Sequence, residues 1–286
     1  MSLRETVGVA ADAQRIHVRG VELAVAREGA GPPVVCLHAI GHGGGDFTTF
    51  AALMRDRFEV IRIDWPGQGR SGDDAEPASA RRYAELLGGA LAALGIERPI
   101  LIGNSIGGAA ALVHAARAPV RALVLCDPGG LVAVDGMVRR ICGLFARFFR
   151  AGARGAWWFP AAFALFYRVV LPSPAARGQR RLIVAAVDET APILVQAWES
   201  FSRPEADIRA LAAGLDIPVW FAWSKSDQVA RFSLCQLATA AMRRATVTQF
   251  KGGHAAFPQQ PQAFAAAFER FAAGLLVADP SATAPC

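Results

Sequence analysis

The sequence predicts an α/β fold, in which a mostly parallel sheet is covered by helices on both faces and interrupted by one helical insertion. Short apolar runs alternate with longer helical patterns, and most of these runs are apolar throughout. The stretch from 129 to 211 departs from this rhythm because it shows only helical patterns. With 286 residues, of which 53% are hydrophobic and 19% charged, the chain has ample material for a buried core, which excludes a disordered protein.

Seven segments have the pattern of strands. Alternation at 21–29 predicts an early antiparallel strand, and alternation at 245–253 suits a strand near the edge of the sheet. The other five are continuous runs of Val, Leu and Ile, as expected of parallel strands that are covered on both faces; they lie at 32–38, 58–65, 98–104, 121–127 and 217–223.

Helical periodicity fills most of the intervals between these strands. The clearest helix runs from Ser79, a residue suited to the N-cap, to Gly95, a residue suited to the position after the last turn. The full set of predicted helices outside the insertion is 48–56, 79–95, 105–118, 233–244 and 261–275.

Residues 129–211 form the predicted insertion. A long interruption at one point of a regular sheet is usually a functional loop or lid. We therefore expect a helical cap at 129–211, seated on a core domain made of residues 1–128 and 212–286.

The insertion is unusually basic and aromatic. Nine arginines and no acidic residue lie between Arg139 and Arg181, interleaved with nine aromatic side chains. Eleven arginines against six acids lie between 129 and 210, so most of the net charge of +6 belongs to this segment. Three interpretations are open: an amphipathic cap with solvated arginines, a surface that contacts an anionic membrane or gathers a lipid-like substrate, and arginines that bind a substrate carboxylate. No nucleic-acid module accompanies the arginines, so we expect no nucleic-acid partner.

The cellular compartment and the absence of a metal site are predicted from patterns that the sequence does not contain. Arg, Pro or Gly interrupts every apolar stretch before the roughly 20 residues of a membrane span, and the N-terminal segment has no signal-peptide pattern. The five cysteines are odd in number and without metal-binding spacing. We expect a cytoplasmic protein with reduced thiols and no metal site.

The strongest chemical signal is Gly103-Asn104-Ser105-Ile106-Gly107. It has the G-x-S-x-G pattern between a predicted strand and a predicted helix, which places the serine on a sharp, strained turn. The hydroxyl of such a serine lies at a helix N-terminus, where the dipole stabilises negative charge. Ser105 is therefore the candidate nucleophile.

A serine nucleophile needs a base, and the base needs an acid to orient it. Among five histidines, His254 follows the last strand in a loop with two glycines, as expected of a catalytic loop residue. Asp227, past the strand at 217–223, is the favoured acid, and Asp127, at the end of the strand at 121–127, is its rival. His42, among glycines, is expected to be a solvated loop histidine.

The loop at 36–45 follows a strand and is very rich in glycine. Such a loop exposes backbone N–H groups that can bind either a phosphate or an oxyanion. It lacks the lysine of a phosphate-binding loop and does not match G-x-G-x-x-G. An oxyanion loop therefore fits better.

Taken together, these motifs resemble the α/β-hydrolase fold superfamily, in the branch with a helical cap. They include the loop that begins at His38, the D-x-P-G-x-G-x-S motif at 64–71 and the serine turn, and they match in order over roughly residues 16 to 276. The resemblance implies an eight-stranded, mostly parallel sheet and a triad of Ser105, Asp227 and His254. It also implies oxyanion donors at the N–H groups of Ile40 and Ile106, and a structural rather than catalytic role for His38.

Two departures from the family pattern are visible. Ala39 stands where the family usually has glycine after the histidine, and Ser224 stands where glycine is usual three residues before the acid. The first affects the expected geometry of the oxyanion loop. The second is tolerable because serine is a common turn residue.

The function expected from these residues is cofactor-free hydrolysis of a small-molecule carboxylic ester with a largely apolar acyl or alcohol part. One alternative is carbon–carbon bond hydrolysis of a meta-cleavage product, to which the Gly103 to Gly108 pattern is similar; however, those enzymes usually have Trp after the histidine, where this chain has Ala255. Another is a non-catalytic accessory protein on the same scaffold. Candidate substrate contacts are Asn104, Trp157, Trp158 and Arg203.

Overall fold

The computed structural model describes residues 2–10 and 12–278. Its sheet has eight strands in the order β1-β2-β4-β3-β5-β6-β7-β8. Pairing is antiparallel between β1 and β2 and between β2 and β4, and parallel elsewhere. The strands are β1 (Gln14–Val18), β2 (Val21–Glu28), β3 (Pro33–Leu37), β4 (Glu59–Ile63), β5 (Ile100–Asn104), β6 (Ala122–Cys126), β7 (Val219–Ser224) and β8 (Ala245–Phe250).

The predicted α/β class with a mostly parallel, eight-stranded sheet is confirmed. The continuously apolar strands β5, β6 and β7 are buried at every residue, whereas the alternating β8 lies at the edge with four consecutive exposed positions at 246–249. β1, whose short polar sequence the pattern did not pick out, completes the other edge. Burial on both faces accounts for the apolar character of the central strands.

Eleven α-helices occur in the described chain. Phe50 of α1 packs edge-to-face on Phe264 and Phe268 of α11, at ring distances of 5.6 and 5.1 Å. The helices are α1 (Thr48–Met54), α2 (Ala80–Leu94), α3 (Ile106–Ala115), α4 (Gly136–Ala153), α5 (Phe159–Val170), α6 (Arg177–Ala185), α7 (Val187–Phe201), α8 (Arg209–Ala213), α9 (Phe232–Ala240), α10 (Ala256–Gln259) and α11 (Pro261–Ala278). The Ser79 side chain caps α2 as predicted, and Gly95 ends it at a φ of +67°.

The segment between β6 and β7 contains α4 to α8 and no strand, and all of its residues are described. This agrees with the helical patterns of the sequence, while the division into two domains at 129 and 211 stays a prediction. None of the described helices is long and apolar enough to cross a membrane.

The parallel strands set the position of the candidate site. Their carboxyl ends lie at one edge of the sheet, since Leu37 pairs with Gly103 and Asn104 pairs with Cys126. The loops that leave β3, β5, β6, β7 and β8 carry all the candidate triad and oxyanion residues. Ligand sites of open α/β sheets form at this edge.

Candidate active site

Ser105 lies on a sharp turn between β5 and α3. Its φ of +54° is in the left-handed region, which costs free energy for any residue but glycine and recurs at functional turns. A Cβ on Gly103 would lie 2.6 Å from the carbonyl oxygen of Gly107, and a Cβ on Gly107 would lie 2.4 Å from the carbonyl oxygen of Leu37. Only glycine at these two positions allows α3 to start so close to the ends of β3 and β5.

His254 and Asp227 form a buried hydrogen-bonded pair, with 2.8 Å between Nδ1 and Oδ2. The other oxygen of Asp227 accepts from the backbone N–H groups of Val229 (2.7 Å) and Ala230 (3.1 Å). His254 is only 7% exposed and Asp227 only 4%. Because Nδ1 donates to the carboxylate, Nε2 carries the lone pair and can act as a base.

The pair also sets the ionisation of its members. Burial alone would raise the pKa of Asp227, but the adjacent His254 ring and the two backbone N–H groups hold the pKa below its usual value. Burial alone would lower the pKa of His254, but the Asp227 carboxylate outweighs it and raises the pKa above 6.5. The arrangement stabilises an imidazolium, which is the state a base reaches after taking a proton.

Asn104 connects the serine turn to the histidine loop. Its Nδ2 donates to the carbonyls of Cys126 (2.9 Å) and His254 (3.0 Å), so both amide hydrogens bind main chain. The side chain is 1% exposed, and its Oδ1 is buried without a hydrogen-bond partner in the described chain. This geometry does not favour the expected substrate contact of Asn104 and gives the residue a bridging role instead.

The hydroxyl of Ser105 forms no hydrogen bond with another described residue, and neither does His254 Nε2. The backbone around the serine is well held, because its N–H donates to Cys126 O at 3.1 Å and its carbonyl accepts from Ala109 N at 3.0 Å. Hydrogen bonds between nucleophile and base are often long in unliganded sites and shorten when substrate binds. The direct bond between serine and histidine stays a prediction.

The backbone N–H groups of Ile40 and Ile106 both lack an acceptor among the described residues. Ile106 is the first residue of α3, where the N–H has no partner within the helix. The loop that holds Ile40 is adjacent, because Gly107 packs against the main chain at the end of β3. The predicted oxyanion donors are therefore both unpaired, as an oxyanion site requires.

Asp127, the rival acid, faces a different partner. Its carboxyl accepts from the backbone N–H of Ser224 at 2.8 Å and from the Ser224 hydroxyl at 3.0 Å. Burial raises the pKa of Asp127 well above its usual value, and the nearby Asp227 adds to this shift. The carboxylate that contacts His254 is therefore that of Asp227. The serine that replaces the family's glycine, expected only to be tolerated, provides a hydrogen bond that glycine could not make.

His38 stabilises the Gly-rich loop after β3 through hydrogen bonds of its ring. Trp65 N–H donates to its Nε2 at 2.9 Å, so Nδ1 carries the proton and donates to Ala39 O at 2.7 Å. Burial lowers the pKa of His38, which favours this neutral form. Ala39 has no need of a glycine conformation, since Gly41 makes the left-handed turn at a φ of +75°. The structural role predicted for His38 fits this geometry.

The motif at 64–71 shapes the same region. The Asp64 carboxylate accepts from the backbone N–H groups of Gly44 (2.7 Å), Arg70 (2.8 Å) and Val9 (3.0 Å). It therefore holds the Gly-rich loop against the turn after β4, and its oxygens bind main-chain donors rather than a ligand.

Comparison with known proteins assigns the family. The profile described as "Alpha/beta hydrolase family" matches residues 34–267. The chain belongs to the alpha/beta hydrolase family. Among its relatives are an uncharacterised protein of Mycobacterium tuberculosis, 28% identical over 89% of this chain and 79% of that protein, and a pimeloyl-[acyl-carrier protein] methyl ester esterase of Stenotrophomonas maltophilia, 29% identical over 88% and 96%.

Other similarities cover less of the chain or show the fold alone. A 2-hydroxy-6-oxo-6-phenylhexa-2,4-dienoate hydrolase of Comamonas testosteroni is 37% identical over 36% of this chain and 38% of its own. Among solved structures, a thermophilic esterase from Thermogutta terrifontis superposes with a TM-score of 0.78, covering 92% of this chain and 99% of that one at 20% identity. This last likeness supports the fold of the hydrolase and not its substrate.

The hydrolase contains a second buried polar chain next to the oxyanion loop. His42 Nδ1 donates to Asp46 Oδ2 at 2.5 Å, and His42 Nε2 accepts from the Tyr167 hydroxyl at 2.8 Å. Gln179 of α6 donates to the other oxygen of Asp46. His42 is 3% exposed, so the expectation of a solvated loop histidine is wrong. Tyr167 and Gln179, which complete this polar chain, come from the insertion, and no local sequence signal marks them.

The insertion also contacts the histidine and oxyanion loops directly. The carbonyl of Val170, the last residue of α5, accepts from the backbone N–H of His254 at 2.7 Å. Leu194 of α7 packs on Gly41, where a Cβ would lie 3.1 Å from its side chain. The helices between β6 and β7 therefore contact both the histidine loop and the Gly-rich loop after β3.

The three substrate contacts expected from the insertion lie at its surface. Trp157 is 91% exposed and Trp158 is 40% exposed, both in the link between α4 and α5. Arg203 is exposed at the start of a single 3₁₀ turn before α8. None of them is enclosed in the hydrolase as described, and their contact with a substrate stays a prediction.

Proposed function

We propose that this hydrolase cleaves a carboxylic ester with a largely apolar acyl or alcohol part, using Ser105 as nucleophile and no cofactor. The observation that carries the proposal is the 2.8 Å hydrogen bond by which Asp227 orients His254, in a loop that Asn104 ties to the serine turn. A buried, carboxylate-oriented histidine beside a serine on a strained turn is suited to nucleophilic catalysis.

In the proposed acylation, Ser105 Oγ attacks the ester carbonyl carbon while His254 Nε2 takes the hydroxyl proton. The carbonyl oxygen becomes an oxyanion and accepts from the N–H groups of Ile40 and Ile106. The tetrahedral intermediate then collapses: the bond to the leaving alkoxide breaks, and His254 returns the proton to it. The products of this half-reaction are an alcohol and an acyl-serine.

Deacylation repeats the sequence with water. His254 Nε2 removes a proton from water, the hydroxide attacks the acyl carbon, and the oxyanion forms at the same two N–H groups. Collapse releases the carboxylic acid and returns the proton to Ser105. Throughout, the Asp227 carboxylate stabilises the imidazolium, consistent with the raised pKa of His254.

We further propose that residues 129–211 act as a helical cap that selects an apolar substrate. Leu194 lies on the oxyanion loop, and an aromatic cluster joins the helices behind it, with Phe145 stacked on Trp198 at 4.2 Å and tilted against Phe166 at 5.7 Å. A cover built from such side chains favours an apolar acyl or alcohol group over a charged one.

Replacement of the nucleophile tests the proposal. Ser105→Ala should lower kcat for p-nitrophenyl esters by roughly 10⁴-fold to 10⁶-fold without changing the melting temperature by more than a few degrees. Ser233→Ala, at an exposed position on α9, is the matched control and should keep wild-type activity. Comparable activity of Ser105→Ala and the control would overturn the assignment.

Carbon–carbon bond hydrolysis is the second candidate. The partial similarity to a 2-hydroxy-6-oxo-6-phenylhexa-2,4-dienoate hydrolase supports it, whereas Ala255 at the position after the histidine does not. A substrate panel that includes a meta-cleavage product and esters of several chain lengths separates the two. A higher kcat/KM for the meta-cleavage product than for every ester would reverse the ranking.

A cytoplasmic location is part of the same proposal. Cys36, Cys126, Cys142 and Cys235 are all buried and free. Unpaired thiols are the usual state of cysteine in a reducing compartment. Cell fractionation with a compartment marker tests the location.

A further inference from the structure

We propose that one face of α4 and α5 is a docking surface for an anionic lipid bilayer. The face consists of the exposed apolar side chains Met137, Ile141 and Leu144 of α4, Trp157 and Trp158 of the link, and Leu165 and Val169 of α5. These are seven of the thirteen large exposed hydrophobic side chains in the described chain. Contiguous exposed apolar surface of this kind marks an interaction site.

The apolar residues share one side of the two helices. Met137, Ile141 and Leu144 are spaced by four and three residues, and Leu165 and Val169 by four, so each set lies on one helix face. The helices pack side by side, with 5.7 Å between the rings of Phe145 and Phe166 and 6.2 Å between those of Phe149 and Phe163. Ile141 lies one turn before Phe145 in α4, and Val169 lies about one turn after Phe166 in α5. Because Phe145 and Phe166 contact each other, the exposed apolar residues of the two helices lie on either side of the same aromatic contact.

Arginines are interleaved with these apolar residues. Arg140 lies one turn before Leu144 and Arg147 one turn after it, and Arg168 lies one turn after Leu165. No acidic residue occurs from 136 to 187. Of the nine arginines between 139 and 181, only Arg150 forms an ion pair with a described residue, Glu199. The cationic groups of this face are therefore available to an external anion.

The combination of exposed apolar side chains and arginines indicates an anionic lipid bilayer as the partner of this face. Amphipathic helices with exposed Leu and Trp between arginines rest in the interface of a bilayer, where the apolar groups enter the headgroup boundary and the arginines meet anionic lipid. The long arginine side chains can extend toward phosphates while their methylenes remain in apolar contact. Because no described helix can span a membrane, the contact would be peripheral.

A second copy of the chain is the main competing occupant. A twofold dimer through this face would place the same patch on both partners, which brings two arginine-rich surfaces together with no acidic residue from 136 to 187 to compensate. The charge of the face thus opposes self-association and favours an anionic partner.

Vesicle flotation tests the proposal with the full chain. The probe is vesicles of phosphatidylcholine with about 30% phosphatidylglycerol, compared with phosphatidylcholine alone. We expect binding to the anionic vesicles, little binding to the neutral ones, and release by about 0.5 M NaCl. Ser105→Ala should bind as the wild type does, so that vesicle binding and ester hydrolysis succeed or fail independently.

Matched variants locate the contact. Leu144→Ser with Leu165→Ser removes side chains that are 68% and 64% exposed, and Leu234→Ser with Leu237→Ser on α9 removes side chains that are 67% and 87% exposed away from the face. In the same way, a double variant of the face, Arg140→Gln and Arg147→Gln, is compared with a double control variant, Arg243→Gln and Arg244→Gln. The variants of the face should weaken binding by roughly tenfold to thirtyfold, the controls should not, and all should hydrolyse a water-soluble ester at the wild-type rate.

Three results would contradict the proposal: no binding to anionic vesicles, equal binding to neutral vesicles, or an equal loss of vesicle binding in the α9 controls. A dimer in sedimentation velocity that Leu144→Ser with Leu165→Ser dissociates would assign the face to self-association instead.

Discussion

The Tyr167 hydroxyl donates to His42 Nε2 at 2.8 Å, which joins α5 of the insertion to the Gly-rich loop after β3. The bond is buried and continues through His42 Nδ1 to Asp46. Three residues further along α5, Val170 accepts from the backbone of His254. The end of one helix is thus fastened to the Gly-rich loop after β3 and to the histidine loop, so the insertion contributes to the geometry of the candidate site.

Removal of the Tyr167 hydroxyl tests this connection. Tyr167→Phe keeps the ring, which packs at 4.6 Å from Phe163, but leaves a buried histidine nitrogen unpaired. We expect the free energy of unfolding to fall by about 1–3 kcal/mol, measured by urea denaturation. Unchanged stability would show that the bond does not fasten α5 to the loop.

The two candidate acids can be distinguished by paired substitutions. Asp227→Asn removes the charge that orients His254 and should lower kcat by roughly 10⁴-fold. Asp127→Asn replaces a carboxyl whose pKa burial raises, and its amide can still pair with the Ser224 hydroxyl, so we expect a loss of less than about tenfold. Ester kinetics of both variants decide the matter. The reverse order of losses would make Asp127 the acid.

The pH dependence of kcat/KM follows from the ionisation of His254. The base must be neutral to accept a proton, and its pKa is raised above 6.5. Activity should therefore be complete at high pH and fall as the pH decreases through a midpoint above 6.5, with a substrate that has no titrating group. A midpoint below 6.5 would contradict the role of the Asp227 carboxylate.

Two helical glycines should respond in opposite directions to alanine. In Gly107→Ala the new Cβ would meet Leu37 O at 2.4 Å, whereas in Gly143→Ala, on the exposed side of α4, no atom lies within 4 Å. We expect Gly107→Ala to destabilise by about 1–3 kcal/mol or more and Gly143→Ala to stabilise by about 0.5–1 kcal/mol. Thermal unfolding of the pair measures both. A stable Gly107→Ala would contradict the close approach of α3 to β3.

Much of the fold could be predicted because local patterns carry it. The central strands are buried on both faces and therefore continuously apolar, and Ser79 and Gly95 mark the ends of α2 by their capping chemistry. β1 escaped prediction because a short edge strand with a largely exposed sequence, at Gln14–Val18, has no such pattern.

The candidate site also contains some residues that local sequence predicts and others that it does not. The positions of Ser105, Asp227 and His254 at strand ends could be predicted because each follows a recognisable strand, and strand ends meet at one edge of the sheet. The partners of His42 could not, since Tyr167 lies 125 residues away in sequence and only the docking of the insertion brings it near. The hydrogen bond from Ser224 to Asp127 likewise depends on the neighbouring positions of β6 and β7.

The central claim is that Ser105 is an activated nucleophile, and covalent labelling tests it most directly. The protein is treated with a fluorophosphonate, and the adduct is located by peptide mass spectrometry. The account predicts a single adduct on the peptide that contains Ser105, formed by the wild type and Ser233→Ala and absent in Ser105→Ala. An unlabelled wild type, which would favour a non-catalytic protein on this scaffold, or an adduct that persists in Ser105→Ala, would contradict it.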